Sequence, residues 1–231
     1  LFDRSGGRVQ CVADAGAITE IRTGCASAVA TDALARRDAR VLAIFGSGAQ
    51  AHSHALAVTR VRPFERLVLW GRDASRSAEL RTALARDLSL PTEVTTDGRA
   101  AAGAADVICT TTGAEQPILF REWVRPGTHV NVVGSSFLGP VEVDSPLVRD
   151  SRYVADYRRS ALAAAAEFAV AKREGLVGDD HIVAEIGEVL LGRVPGRRAD
   201  DEITMYKSLG HIVQDLAAAF VVHARATGRA A

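Results

Sequence analysis

Lysine is nearly missing from this chain. Of its 28 basic residues only Lys172 and Lys207 are lysines, and the rest are arginines. The 28 basic residues meet 28 acidic ones, for a formal net charge of zero. A chain without a charge surplus lacks the electrostatic footprint of a nucleic-acid partner. Apolar runs are short, none approaching the roughly 20 residues that cross a bilayer, so no membrane partner is expected. Cysteine is scarce: Cys11, Cys25 and Cys109 are odd in number and far apart. That excludes a disulfide framework and reads as reduced, small core residues of a cytoplasmic protein. The six histidines hold no metal-ligand spacing. His52 and His54, two apart, point to different faces of a helix, so no metal is expected.

What is present is alternation. The opening residues LFDRSGGRVQCV read as a hairpin, with a strand over 6–12 after the Gly6-Gly7 turn. A long helix follows, on which Ile18, Ile21, Cys25, Val29 and Leu34 recur at helical spacing. Short apolar strands are then expected at Val41–Phe45, Leu67–Trp70, Glu93–Thr95, Asp106–Thr111, His129–Val133 and Tyr153–Ala155. Helical stretches lie between most of them, at Ala49–Arg60, Ala74–Asp87, Arg99–Ala104 and Phe120–Val124. Two longer helices are expected at 158–174 and 181–191, the second capped by Asp179 or Asp180 and stopped by Gly192, and a last amphipathic helix from about Met205 to Ala226. Strands that are apolar throughout, alternating with helices, predict an α/β fold: a doubly wound parallel sheet covered on both faces.

The stretch VLAIFGSGAQA sets Gly46-Ser47-Gly48-Ala49-Gln50-Ala51 between a buried-type strand and a helix. This is the setting of a dinucleotide-binding loop. Gly46 permits the tight turn, Gly48 lets backbone approach a pyrophosphate, and Ala51 allows helix and strand to pack closely. The helix N-terminus supplies unpaired N–H groups for the phosphates. A plain strand-to-helix turn is the bland alternative. An NAD site usually places an acid at the end of the second strand, about 20 residues on. Here Gly71 stands there, followed by Arg72 and, one helical turn later, Arg76. Two guanidiniums suit a 2′-phosphate, which favours NADP(H), with NAD(H) possible. Alternatively both arginines are solvated and Asp73 serves the ribose of NAD.

Four blocks, in order, resemble the ornithine cyclodeaminase/mu-crystallin family: IRTGCASAVATDALARRDARVLAIFGSGAQA, HVNVVGSSFLGPVEVD, VAEIGEVLLGRVPGR and DEITMYKSLGHIVQDLAAA. The resemblance implies a Rossmann domain plus part of an α+β substrate and dimerisation domain, in a homodimer. It divides the chain at 1–37 (substrate domain and linking helix), 38–203 (dinucleotide-binding domain) and 204–231 (returning C-terminal helix). Members of this family carry an upstream segment with a substrate-binding lysine and arginine. The resemblance therefore implies a sequence that begins partway through the substrate domain, able to bind cofactor but a poor catalyst by itself.

Carried over by position, the resemblance implies that Arg22 grips a substrate carboxylate and Thr23 sits by the cofactor phosphates. Ser47, Ala49 and Gln50 line the pyrophosphate. Arg72 and Arg76 hold the 2′-phosphate, with Gly71 beside them. Thr110 and Thr112 lie under the cofactor, Val133 lies beside the nicotinamide, and Lys207 and Ser208 form a further cofactor contact. From the residues alone, Arg22 reads equally as half of an ion pair and Lys207 as a solvated lysine at a helix start. Ornithine cyclodeaminases keep an aspartate as acid/base where this chain has Ser136, and a serine without a partner is no base near neutral pH. The resemblance thus points to NAD(P)H-dependent reduction of a cyclic imino acid, Δ1-pyrroline-2-carboxylate or Δ1-piperideine-2-carboxylate, to the L-amino acid, with Ser136 at the reaction centre. Glu167 either faces the imine or is a surface carboxylate. The rival readings are ornithine cyclodeaminase or alanine dehydrogenase activity, or a non-catalytic NADPH- and ligand-binding protein or remnant.

Overall fold

The computed structural model describes residues 1–228; residues 229–231, the end of the third expected segment, lie outside it. Eight strands form one parallel sheet: β1 (Val41–Phe45), β2 (Arg66–Trp70), β3 (Thr92–Thr95), β4 (Val107–Thr110), β5 (His129–Val132), β6 (Arg152–Ala155), β7 (Ile182–Glu185) and β8 (Thr204–Lys207). Their spatial order is β3-β2-β1-β4-β5-β8-β6-β7. Strand residues feed two large cores and a smaller third cluster of Val154, Ala184 and Tyr206 with Ala30 and Leu34. On one face Leu42, Ile44, Leu67, Leu69 and Val107 pack under α1 (Ala15–Leu34), α2 (Ala49–Val58) and α3 (Ala74–Leu84). On the other, Ala43, Phe45, Ile108, Val130, Val132 and Met205 pack under α4 (Gly98–Ala104), α5 (Ser145–Asp150), α6 (Arg158–Ala164) and α7 (Ala166–Arg173). The helices α8 (Ile186–Leu190) and α9 (Ile212–Ala226) complete the chain. Strand order reverses between β1 and β4, so the crevice that such sheets use for ligands opens above the ends of those two strands.

The expected helix from Met205 begins instead with β8, and its helical part starts at Ile212. All four residues of β8 are buried, because the strand lies between β5 and β6. A strand covered on both faces has no period-two signature, so periodicity cannot separate it from a buried helix. The expected helix 181–191 is β7 followed by the short α8; β7 is the edge strand, and its four residues are too few to set an alternation against a helical period. Glu185 and Glu188 form the capping box of α8, while Asp179–His181 make one 3-10 turn. The helix expected over 158–174 breaks at Ala165 into α6 and α7, and Phe120–Val124 supplies only the 3-10 turn Arg121–Trp123. Residues 6–12 contribute a single bridge, Val9 to Phe2, rather than a strand.

Of the apolar stripe expected on α1 only Leu34 is buried and Ile18 half-buried. Ile21, Val29 and Cys25 are exposed, whereas Thr23, Gly24, Ser27, Ala30 and Thr31 are buried. Close approach to α2 selects small residues there: a Cβ on Gly24 would lie 2.6 Å from Ser53 Oγ and 2.8 Å from its carbonyl oxygen. Only Cys109 of the three cysteines is buried.

Two histidines are sealed in this framework. His54 Nδ1 donates to the Gln50 carbonyl and Nε2 accepts from Ser27 Oγ. Burial pushes its pKa down to about 4. Burial, aided by the charge of Arg197, pushes His129 down to about 3. Unfolded histidine titrates near 6.5, so below that pH the unfolded chain takes up protons that the native state refuses. This contribution to stability is complete above about pH 6.5 and is lost as pH falls toward 4. Unfolding in urea should show about 3–4 kcal/mol less stability from these two groups at pH 5 than at pH 7. His54→Gln should remove about half of that pH dependence; an unchanged slope would show that His54 is not held neutral.

Candidate active site

Five strand ends build the site. The turn after β1 carries Gly46, with φ +138, and a Cβ there would lie 2.6 Å from Thr111 Oγ1 and 2.9 Å from Thr111 O. Glycine is thus what lets the β1 turn press against the end of β4, where Thr111 N and Oγ1 both bond to the Phe45 carbonyl. Gly48 caps α2 without a side-chain bond to the helix amides, and nothing lies within 4 Å of where its Cβ would be. The N-terminal amides of α2 therefore face an open cradle.

A cleft of about 270 Å³ runs from this loop past the end of β2. Gly46, Ser47, Gly48, Gly71, Arg72, Arg76 and Thr112 line it, whereas Ala49 does not. A side chain at position 71 would displace the Ser77 hydroxyl, which sits 2.5 Å from where its Cβ would be. Asp73 Oδ1 caps α3 by accepting from Ser75 N and Arg76 N. Arg72 and Arg76 are exposed along the cleft, and among the described residues no carboxylate lies within ion-pair distance of either.

A second cleft, also about 270 Å³, joins the first at Thr111 and Thr112. Arg22, Thr23, Gln50, Val133, Gly134, Ser136 and Ser208 line it. Gln50 Oε1 and Ser208 Oγ are buried without a hydrogen-bond partner, and such groups are costly unless a ligand or water meets them. Arg22 is fixed from behind, Nε on Asp215 at 2.9 Å and Nη1 on Gln214 Oε1 at 3.1 Å, both on α9. The ion pair considered for Arg22 exists, and its guanidinium still lines the cleft. Ser136 is exposed at the cleft, and no histidine or carboxylate is bonded to its hydroxyl among the described residues. Open cradle, unpaired arginines and orphaned polar atoms fit a dinucleotide lying across both clefts. Among the described residues there is no cluster of three or more residues set to hold a metal, and no helix long and apolar enough to cross a membrane.

Three expected contacts sit elsewhere. Thr110 is fully buried and donates to Glu142 Oε2 at 2.8 Å. Lys207 is neither solvated nor in either cleft. It is 0% exposed, with its ammonium on Ser135 and Glu167. Glu167 is no surface carboxylate; it is 1% exposed and accepts from Ser135 Oγ and Tyr153 OH, each at 2.8 Å.

Sequence reading overlooked Thr111 and, above all, Glu142. The Glu142 carboxylate accepts from Thr112 N, Thr112 Oγ1, Thr110 Oγ1 and Gly134 N, at 2.6 to 2.8 Å. It clamps the end of β4 to the end of β5 under the junction of the clefts. Burial pushes this carboxyl above the usual range, while the Thr112 and Thr110 donors and the charge of Lys207 pull it back. An acid between two valines, in Val141-Glu142-Val143, was the available signal.

The sequence pattern of the ornithine cyclodeaminase/mu-crystallin family matches residues 1–230. The ketimine reductase mu-crystallin of Mus musculus is 36% identical over 223 residues, covering 96% of this chain and 67% of that protein. The Δ1-pyrroline-2-carboxylate reductase of Bacillus cereus is 34% identical over 230 residues, covering 99% of this chain and 70% of that protein. A solved structure, the Δ1-pyrroline-2-carboxylate reductase of Thermococcus litoralis in complex with NADH and L-proline, superposes with a TM-score of 0.95 at 30% identity, over 99% of this chain and 71% of that one.

Proposed function

The chain belongs to the ornithine cyclodeaminase/mu-crystallin family, and on that premise we propose that it is an NAD(P)H-dependent reductase of a cyclic imino acid, Δ1-pyrroline-2-carboxylate or its six-membered homologue. The observation that carries this reading is the pair of joined clefts. One ends in Arg72 and Arg76, the other holds Arg22, and the turn after β5 offers Ser136 in place of an acid. The resemblance of 34–36% to two reductases of cyclic ketimines supports it.

The bound cofactor supplies hydride at its nicotinamide carbon. The Gly46–Gly48 loop and the α2 amides would hold its pyrophosphate, and Val133 would lie beside the nicotinamide. Arg22, braced by Asp215 and Gln214, fixes the substrate carboxylate and so presents the C=N carbon. An imine protonated at nitrogen is already electrophilic. Addition of hydride to that carbon would leave a neutral secondary amine, so no group of this chain would have to remove a proton. Ser136 has no base behind it and serves as a hydrogen-bond contact. The test is nicotinamide oxidation with both cyclic imines, run beside ammonia release from ornithine; ammonia release without imine reduction would put the chain among the cyclodeaminases.

NADP(H) is the preferred cofactor in this reading. Arg72→Ala should weaken NADPH binding about 10- to 100-fold by removing charge-assisted bonds to the 2′-phosphate, and shift NADH less than about threefold. Titration of each cofactor by fluorescence checks this; equal losses would overturn the 2′-phosphate assignment. The protein is taken as a cytoplasmic homodimer. Residues 38–203 with β8 bind the dinucleotide, and residues 1–37 with α9 belong to the substrate and dimerisation domain. The stripe Ile212, Val213, Leu216 and Phe220 of α9, 55–76% exposed, favours such an interface.

A further inference from the structure

We propose that Lys207 and Glu167 are positioning residues that lock the turn Gly134–Ser136 in its reactive shape, and that Lys207 makes no contact with the cofactor. The inference rests on the reductase reading above. Lys207 ends β8, Ser135 follows β5 and Glu167 lies on α7, so three elements meet at one buried point. The Lys207 ammonium has three protons and three acceptors: Ser135 O at 2.5 Å, Ser135 Oγ at 2.9 Å and Glu167 Oε2 at 3.2 Å. None remains for a phosphate or ribose. Glu167 is satisfied in turn by Ser135 Oγ and Tyr153 OH.

Stability alone is a poor reason to bury such a pair, since apolar residues of similar volume often do as well. Geometry is the better reason. The pair grips both the carbonyl and the hydroxyl of Ser135, which fixes the backbone of the turn as well as its inward side chain. Ser135 is 0% exposed, while the next residue, Ser136, is exposed at the cleft beside Gly134. A second carboxylate does the same for the neighbouring turn. Asp156 Oδ2 accepts from Leu209 N and Gly210 N, each at 2.7 Å, and both residues line the same cleft. The turns facing the substrate are therefore held from behind by charged side chains, the buried Lys207 and Glu167 at one and the half-buried Asp156 at the other.

The test pairs Lys207→Met/Glu167→Gln, which removes both charges of the pair together, with the milder Ser135→Ala. Both are compared with the wild-type chain for thermal unfolding, NADH and NADPH affinity, hydrogen exchange of the 134–139 backbone, and turnover of Δ1-pyrroline-2-carboxylate. Expected in the folded double variant are exchange at the turn faster by about tenfold or more, cofactor affinity changed less than about threefold, and kcat lower by about 30-fold or more with a smaller change in KM. Ser135→Ala should move the same readouts in the same direction by less. Cofactor affinity falling as far as kcat would make Lys207 a cofactor contact and overturn the proposal. Unchanged exchange at the turn would overturn it as well. Ammonia release from ornithine without imine reduction would remove the reductase reading, while exchange and affinity still decide whether Lys207 holds the turn.

Discussion

Glu142→Ala should lower the folding stability by about 3–5 kcal/mol and leave nucleotide-binding chains without hydride transfer. The side chain accepts four hydrogen bonds, two from the backbone amides of Thr112 and Gly134 and two from the hydroxyls of Thr110 and Thr112. The hydroxyls can turn to other acceptors, but the amides cannot. Each buried donor left unmet costs about 1–3 kcal/mol, and the cavity left by the side chain adds to that. Against a total stability of roughly 5–15 kcal/mol this is a large share. Glu142→Gln distinguishes the clamp from mere volume. Its amide nitrogen would have to face either Thr112 N–H or Gly134 N–H, donor against donor, so the isosteric change should still cost about 2 kcal/mol. Urea unfolding of the three chains measures the series. A glutamine variant as stable as the wild type would show that acceptor geometry at Glu142 does not matter. Gly134 is bound by the same clamp, since a Cβ there would lie 1.9 Å from Thr112 O and 2.5 Å from Glu142 Oε1. Gly134→Ala should therefore disturb the junction of the clefts just as Glu142→Ala does.

That clamp also marks where the sequence stopped being legible. Elements with a local signal were readable: the apolar β1 and β4, the Gly46–Gly48 loop, and helices capped by Asp73 or Asp97. The fold class followed from these, while the four blocks that resemble the family supplied most of the cleft lining. Residues whose role depends on a distant partner were not readable. Glu142 reaches Thr112, thirty positions back, and Lys207 reaches Ser135 across 72 residues. Neither distance leaves a periodicity or a motif. Lys207 stood out by its rarity, yet rarity could not say whether its ammonium faced the cleft or the interior. Strand β8 was hidden for a different reason: covered on both faces, it carries no alternation to read, while the edge strand β7 is only four residues long and runs straight into α8. On α1 the apolar spacing placed Leu34 inside but misplaced Ile21, Cys25 and Val29, because contact with α2 selects small residues such as Gly24 over large ones.

Gly46→Ala and Gly48→Ala should both abolish tight nucleotide binding, but for separable reasons. At Gly46 the backbone has φ +138, which an L side chain rarely adopts, and the new methyl would meet Thr111 Oγ1 at 2.6 Å and Thr111 O at 2.9 Å. The turn after β1 would have to leave the end of β4, costing about 3 kcal/mol or more of folding stability. At Gly48 the backbone is extended, with φ −95 and ψ −170, and no atom lies within 4 Å of the new methyl. Folding stability should change by less than about 1 kcal/mol there, and in the favourable direction if the unfolded chain loses freedom. The methyl instead occupies the space through which a pyrophosphate reaches the amides at the start of α2. NADH and NADPH should both bind about 30-fold more weakly or worse, a loss of about 2 kcal/mol common to the two because the pyrophosphate is common to the two. Thermal unfolding and cofactor titration of the two variants separate the effects: Gly46→Ala loses stability and binding together, and Gly48→Ala loses binding alone. A Gly48→Ala chain that melts as the wild type does and binds both cofactors as tightly would move the pyrophosphate off this loop, and with it the placement of the nicotinamide beside Val133 and of the imine beside Arg22.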